Sequence, residues 1–443
     1  MRQLLRVYAC FNIIITVINI LSQWLEAIFI KTRAVRLYGK GDLRLESFEL
    51  PPIKDDEILI KVITDSLCMS TYKAAMLGPE HKRVPKDVDK NPVIVGHELC
   101  GEIAQVGAKW GGQYSAGQKV TVQPALNYKG SMDSPGYSFK FCGGDATYMI
   151  LPHQVMELGC LIPFNGSAYF YGSLSEPVSC ILGAYHASYH TTPLCYKHSM
   201  GIKEGGALAL LAAAGPMGLG ALDYALSGQV KPSIVVVTDT DKQRLRRAGE
   251  LFSVDSAAKK GIKLVYSDSG DADFLLSLTG GNGFDDVMVY APVRSVVELA
   301  DKILARDGCL NFFAGPVDNQ FSAALNFYNV HYQSTHIVGT TGGGTADMKE
   351  ALDLMADGSI NPAVMITHIG GLDAVADATL NLPNIGGGKK LIYTQIDLPL
   401  TAIDDFEKLA AKDELFKGLS QIVKQKGGLW CPEAEQFLLQ YKT

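Results

Sequence analysis

Ala207-Leu208-Ala209-Leu210-Leu211-Ala212-Ala213-Ala214-Gly215-Pro216-Met217-Gly218 passes from an unbroken apolar run into a glycine turn and then into an amphipathic segment. An apolar run without alternation suits a strand covered on both faces. The turn fits the G-x-G-x-x-G pattern with Ala213 in the first place. Gly215 lets the backbone approach a pyrophosphate, and Gly218 lets helix and strand pack closely. Pro216 and Met217 open a helix whose N–H groups and positive dipole end face the phosphates. The Cβ of Ala213 departs from the pattern and tightens the turn.

The segments that follow keep alternating. Strands are expected at 233–238, 263–266, 286–290 and 309–313, with helices at 217–226, 242–252 and 294–305. Such alternation marks βαβ units and an α/β fold with a doubly wound parallel sheet, the Rossmann arrangement. Asp239 ends the second strand about 20 residues past the glycines, where a carboxylate binds the adenosine ribose hydroxyls. Its charge repels a 2′-phosphate, so NAD is favoured over NADP, although Arg244 is available to stack on adenine or pair with a phosphate.

Between 32 and 152 the pattern is different. Short apolar runs at 34–37, 57–62, 93–95, 101–106 and 118–122 are separated by Gly, Pro and Asp turns without helices, as in a small barrel or sandwich. A chain of 443 residues has room for both units, and 47% hydrophobic with 19% charged residues fits a globular enzyme. A net charge of −6 argues against a nucleic-acid surface, which needs clustered Lys and Arg. Nine scattered cysteines without a C-x-x-C pair argue against a disulfide framework and for a reducing, cytoplasmic setting.

Residues 1–30 read apart from the rest. Arg2 and Arg6 flank an apolar run at 7–21, with Trp24 near its end, in the manner of a membrane anchor. The run is short for a bilayer, and Asn12, Asn19 and Glu26 make insertion costly, so a non-spanning extension is the preferred reading.

Three further pieces carry chemistry together rather than singly. They are Cys68-Met69-Ser70, Gly96-His97-Glu98-Leu99-Cys100-Gly101, and Ser175-Glu176-Pro177. Alone, each has a plain structural explanation: an inert buried thiol, a satisfied histidine, a Glu-Pro helix start. In this order, ahead of a nucleotide fold, they resemble the medium-chain dehydrogenase/reductase family, particularly its polyol-dehydrogenase branch. Longer stretches, among them VRLYGKGDLRLESFELP and VHYQSTHIVGTTGG, are similar to the L-sorbose-1-phosphate reductases within it.

The resemblance implies a GroES-like catalytic domain over 31–195, a Rossmann domain over 196–342, a return to the catalytic domain over 343–400 and a helical extension over 401–443. It implies a catalytic zinc held by Cys68, His97 and Glu176, with Glu98 near enough to reach the metal directly or through water. Zinc takes thiolate, imidazole and carboxylate, leaves one position open, and acts as a Lewis acid. Ser70 matches the hydroxyl that relays a proton. Lys73 either extends that relay toward solvent or is a solvated surface lysine.

The implied reaction interconverts a ketose phosphate and a polyol phosphate, L-sorbose 1-phosphate and D-glucitol 6-phosphate, with NAD or NADP. A free polyol as substrate and a non-catalytic nucleotide-binding protein of the same fold are the alternatives. A homo-oligomer joined along nucleotide-sheet edges is the family analogy.

The family's four-cysteine lobe for a structural zinc would fall between 124 and 147, where only Cys142 occurs, so one zinc per chain is expected. A sugar phosphate needs a cation near the cleft. Glu80-His81-Lys82-Arg83 is a candidate for it, and equally a solvated loop. Tyr137 and Phe139 either wall the pocket or pack in the core. At the C-terminus an amphipathic helix capped by Thr401, with Asp404 at its third position, is expected to carry Phe406, Leu409, Phe416 and Leu419.

Overall fold

The computed structural model describes residues 30–192 and 194–442. The reading of 1–29 as anchor or extension lies outside the described residues, among which no helix is long and apolar enough to cross a membrane.

Six parallel strands form one sheet in the order Lys263–Ser267, Ile234–Thr238, Ala207–Leu211, Phe284–Val289, Leu304–Phe312, His336–Gly339. The order reverses beside Ala207–Leu211 and opens a crevice at that strand's C-terminal end. Leu208 lies opposite Val235 and Asp286, and Leu210 opposite Val237 and Met288. These central strands are buried on both faces, which accounts for their lack of alternation.

Several boundaries differ from expectation, two of them for a plain reason. The first strand, expected over 207–212, ends at Leu211 because Ala212 turns into the left-handed region at φ 55°. The helix expected over 294–305 ends at Lys302, because Ile303 and Leu304 join the sheet core and Leu304 pairs with Phe284.

The barrel is built around Ile58–Ser66, which pairs with Cys100–Val106, Tyr148–Leu151 and Lys389–Tyr393. Lys389–Tyr393 comes after the nucleotide sheet in sequence and pairs with Ile58–Ser66 across Leu391–Tyr393. Inside, Ile58, Ile60, Leu99, Ile103, Val120 and Met149 form the core. The helix Tyr169–Ala187 leads from the barrel to the nucleotide sheet, packing on Pro216–Ser227 and Thr345–Ala356. Glu176-Pro177 sits inside this helix rather than at its start.

The C-terminal expectation needs correction. Thr401 does not cap a helix: Thr401–Ala402 is a short strand on Ile366–Gly371, and Thr401 Oγ1 donates to Pro399 O at 2.8 Å. The helical residues divide into Phe406–Leu409, Glu414–Gln425 and Pro432–Lys442, with Asp413 capping the second through Leu415 N at 2.9 Å. The pattern of apolar spacing survives the break because Phe406, Phe416 and Leu419 all turn into the same core.

Candidate active site

Cys68 is the N-cap of the helix Met69–Leu77. His97 and Glu98 lie in the loop that enters Cys100–Val106, and Glu176 projects from Tyr169–Ala187. The fold brings the first three together: one donor atom each from Cys68, His97 and Glu98 lie within 4.8 Å of one another. Glu176 stands outside that trio, its Oε1 accepting from Cys180 Sγ at 3.7 Å, yet its charge acts on Cys68.

Hydroxyls orient these donors. Thr71 Oγ1 is 3.1 Å from His97 Nδ1, which leaves Nε2 as the nitrogen for another partner. Ser70 Oγ donates to Cys68 Sγ at 3.0 Å and lies 3.2 Å from His97 Nε2, with Tyr137 OH 3.3 Å from the same nitrogen. Tyr137 is thus a buried wall of the site, whereas Phe139 packs on the barrel core. Main-chain carbonyls are clamped as well: Ser173 Oγ donates to Glu98 O, and Thr121 Oγ1 to Leu99 O at 2.8 Å.

Glu98 has a counter-ion. Both its oxygens accept from Lys389 Nζ, and Ser66 Oγ donates to Oε2. Burial opposes both charges, but each partner outweighs it, holding the Glu98 carboxyl low and the Lys389 ammonium high. The other donors lack such compensation. Burial, then the charge of Glu98, pushes the Cys68 thiol up to about 12 and the Glu176 carboxyl up to about 8. Burial pushes His97 down to about 4, so its imidazole is neutral.

Ionised together, Cys68, Glu98 and Glu176 set against Lys389 leave two negative charges unbalanced in a buried space. A dication removes that cost, and thiolate, neutral imidazole and carboxylate are the donors zinc accepts. The residues present therefore fit a catalytic zinc.

Behind the site lies a second acidic pair. Asp65 Oδ1 accepts from Ser66 N at 2.7 Å, while Asp65 Oδ2 and both Asp145 oxygens have no donor. Burial, then the charge of Asp145, pushes Asp65 well up, and burial pushes Asp145 up to about 7. Gly96, at φ 90°, rests against this pair, and any Cβ there would overlap Asp65 Oδ2. The loop carrying His97 comes this close only as glycine.

At the nucleotide crevice, Gly215 caps the helix Pro216–Ser227 and Pro216 occupies the first turn, where a missing N–H costs nothing. A Cβ on Gly218 would overlap the Ala213 carbonyl, whereas one on Gly215 would meet only Arg244 Nη1 at 3.7 Å, so the space beside Gly215 is open. Ala213 is tolerated because the left-handed turn is taken by Ala212 instead. Asp239 Oδ2 accepts from Ala214 N at 3.0 Å, tying the glycine loop to the second strand. Arg244 pairs with Asp241 at 3.5 Å.

Lys73 has a role that neither sequence reading anticipated. Its Nζ donates to Gly315 O at 2.6 Å, bridging the barrel to the loop after Leu304–Phe312. Lys389, Thr71, Ser66 and the Asp65–Asp145 pair also escaped sequence reasoning. The available signal was Lys389-Lys390 at the head of the fully buried strand Lys389–Tyr393, since a buried lysine needs a partner.

A barrel and a doubly wound nucleotide sheet with a thiol, an imidazole and a carboxylate beside the helix that links them define a metal-dependent dehydrogenase of the medium-chain type. Comparison with known proteins agrees: the alcohol dehydrogenase GroES-like domain matches residues 54–159, and the zinc-binding dehydrogenase domain matches residues 216–357. The chain belongs to the zinc-binding dehydrogenase family.

It is 53% identical over 415 residues to mannitol-1-phosphate 5-dehydrogenase of Aliivibrio fischeri, covering 93% of this chain and 98% of the relative. It is 48% identical over 408 residues to L-sorbose 1-phosphate reductase of Klebsiella pneumoniae, covering 92% and 97%. In fold it is similar to a zinc-binding dehydrogenase from Sinorhizobium meliloti bound to NADP, with TM-score 0.66 and 20% identity over 82% of this chain and 99% of the other.

Proposed function

We propose that the chain is a zinc-dependent, nicotinamide-linked oxidoreductase that interconverts a ketose phosphate and a polyol phosphate. The observation that carries the chemistry is the convergence of Cys68, His97 and Glu98 within 4.8 Å, in a buried site whose thiol needs a cation beside it to ionise. The substrate class is supported by the two relatives above, both named for sugar phosphates.

Cys68, His97 and an acid, Glu98 or Glu176, would hold the zinc, and each acid is compatible with that role. Glu98 is nearer but is engaged by Lys389, whereas Glu176 forms no ion pair among the described residues. Bound zinc supplies a Lewis acid toward the reacting oxygen. Ser70, beside both Cys68 and His97, is placed to give or take the proton of that oxygen. Gly215 and the N-terminus of Pro216–Ser227 receive the pyrophosphate. Asp239 favours NAD over NADP, and Arg244 beside Gly215 is the residue on which a 2′-phosphate would depend. The outer strand His336–Gly339 leaves a sheet edge for a second copy.

The test is coenzyme oxidation across ketoses and their phosphates with NADH and with NADPH, using Cys68→Ser as control. Turnover of a ketose phosphate that is lost in Cys68→Ser supports the reading. Full activity in that variant would remove the zinc chemistry, and preference for a free sugar would remove the phosphate.

A further inference from the structure

Among the described residues, Arg83 is a cation beside the site that forms no ion pair. Its loop is pinned: Ser138 Oγ donates to Arg83 O at 2.7 Å, Arg83 N donates to His81 Nδ1 at 3.3 Å, and Val84 next to it is buried. The guanidinium lies over the Tyr137 ring, 5.4 Å from its centroid, and the Tyr137 hydroxyl is the one 3.3 Å from His97 Nε2. Arg83 Nε is sealed from solvent without an acceptor. Among the described residues, neither terminal nitrogen makes a hydrogen bond or an ion pair. A partly desolvated guanidinium ordinarily finds a carboxylate, and leaving its donors unmet is costly.

The neighbours do not compete for the role. Lys73 is bonded to Gly315 O, and Lys82 is exposed. His81, stacked on Tyr137 at 5.8 Å, is kept neutral by burial and by the charges of Arg83, Lys82 and Lys73.

We propose that Arg83 is the phosphate-binding residue of this enzyme, its unbonded guanidinium taking the phosphomonoester of the sugar while the reacting carbon sits beyond Tyr137 at His97. This rests on the reading that the substrate carries a phosphate. The planar fork matches a phosphate with two parallel charge-assisted bonds, and the dianion meets an existing cation instead of requiring a new one. A free polyol presents no charge and leaves Arg83 as it is, so the residue separates the two substrate classes.

The experiment compares kcat/KM for a matched phosphorylated and free substrate in wild type, Arg83→Met and Arg83→Lys, with inorganic phosphate as a competing probe. In Arg83→Met the ratio of phosphorylated to free falls about 30-fold or more, through KM, as expected for loss of charge-assisted bonds. Arg83→Lys recovers part of it, and inorganic phosphate competes with the sugar phosphate in wild type but weakly in Arg83→Met. A wild-type ratio near one overturns the sugar-phosphate reading itself. A high wild-type ratio that Arg83→Met and Arg83→Lys both retain overturns the assignment of Arg83 alone, as does an equal loss on both substrates.

Discussion

The carboxylate of Glu98 and the ammonium of Lys389, 291 positions apart in the chain, form a buried ion pair that ties the returning segment to the loop carrying His97. Removing the cation leaves a buried charge without a partner. Lys389→Met is expected to destabilise the protein by about 3–5 kcal/mol, read from urea unfolding. Lys389→Arg should retain much of the stability, and an unaltered midpoint in Lys389→Met would show that the pair is not formed.

Stability should also fall as pH rises through the Asp65–Asp145 pair. Both carboxyls lie above the ordinary value in the folded chain, Asp145 at about 7, so the folded state binds more protons than the unfolded state from 3.8 up to that value. The unfolding free energy therefore decreases with pH across that window. Asp145→Asn, which keeps the shape and removes the titrating carboxyl, should flatten the decrease between pH 5 and pH 8. An identical slope in the variant would contradict a raised Asp145 carboxyl.

Glu435 supports the helix that carries Glu176. Its oxygens accept from Tyr169 N at 2.6 Å and Phe170 N at 3.0 Å, and from Tyr393 OH at 2.8 Å. Glu435→Ala removes an N-terminal cap and leaves these donors buried, an expected loss of about 1–3 kcal/mol in chemical unfolding. No loss would mean that the C-terminal helices only cover the surface.

Lys73 links the two domains through one charge-assisted bond to Gly315. Lys73→Met should weaken NADH binding by roughly 10-fold, measured by fluorescence titration, because that bond holds the loop after Leu304–Phe312. Unchanged affinity would assign the lysine to packing.

The nucleotide sheet was legible because its signals are local. An apolar run, a glycine turn and an acid at the end of the next strand read the same in sequence and in space, from Ala207 to Asp239. Cys68, His97 and Glu176 were read from family resemblance alone, since nothing in their spacing shows convergence, and the fold groups Glu98 rather than Glu176 with the other two. The partners of these residues were not legible at all. Lys389 meets Glu98, and Asp145 meets Asp65, only after the chain has crossed the barrel, so no periodicity links them. The C-terminal helix was misread because its apolar spacing continues across the break at Asp413, where capping by a side chain overrides periodicity.

The most direct test of the account is the metal content and zinc-edge absorption spectrum of the purified wild-type protein and of Cys68→Ser. One zinc per chain is predicted, with one sulfur and otherwise nitrogen and oxygen neighbours, and with the zinc lost in Cys68→Ser. A wild-type protein without zinc, a shell of several sulfurs, or full retention of zinc in Cys68→Ser would contradict it.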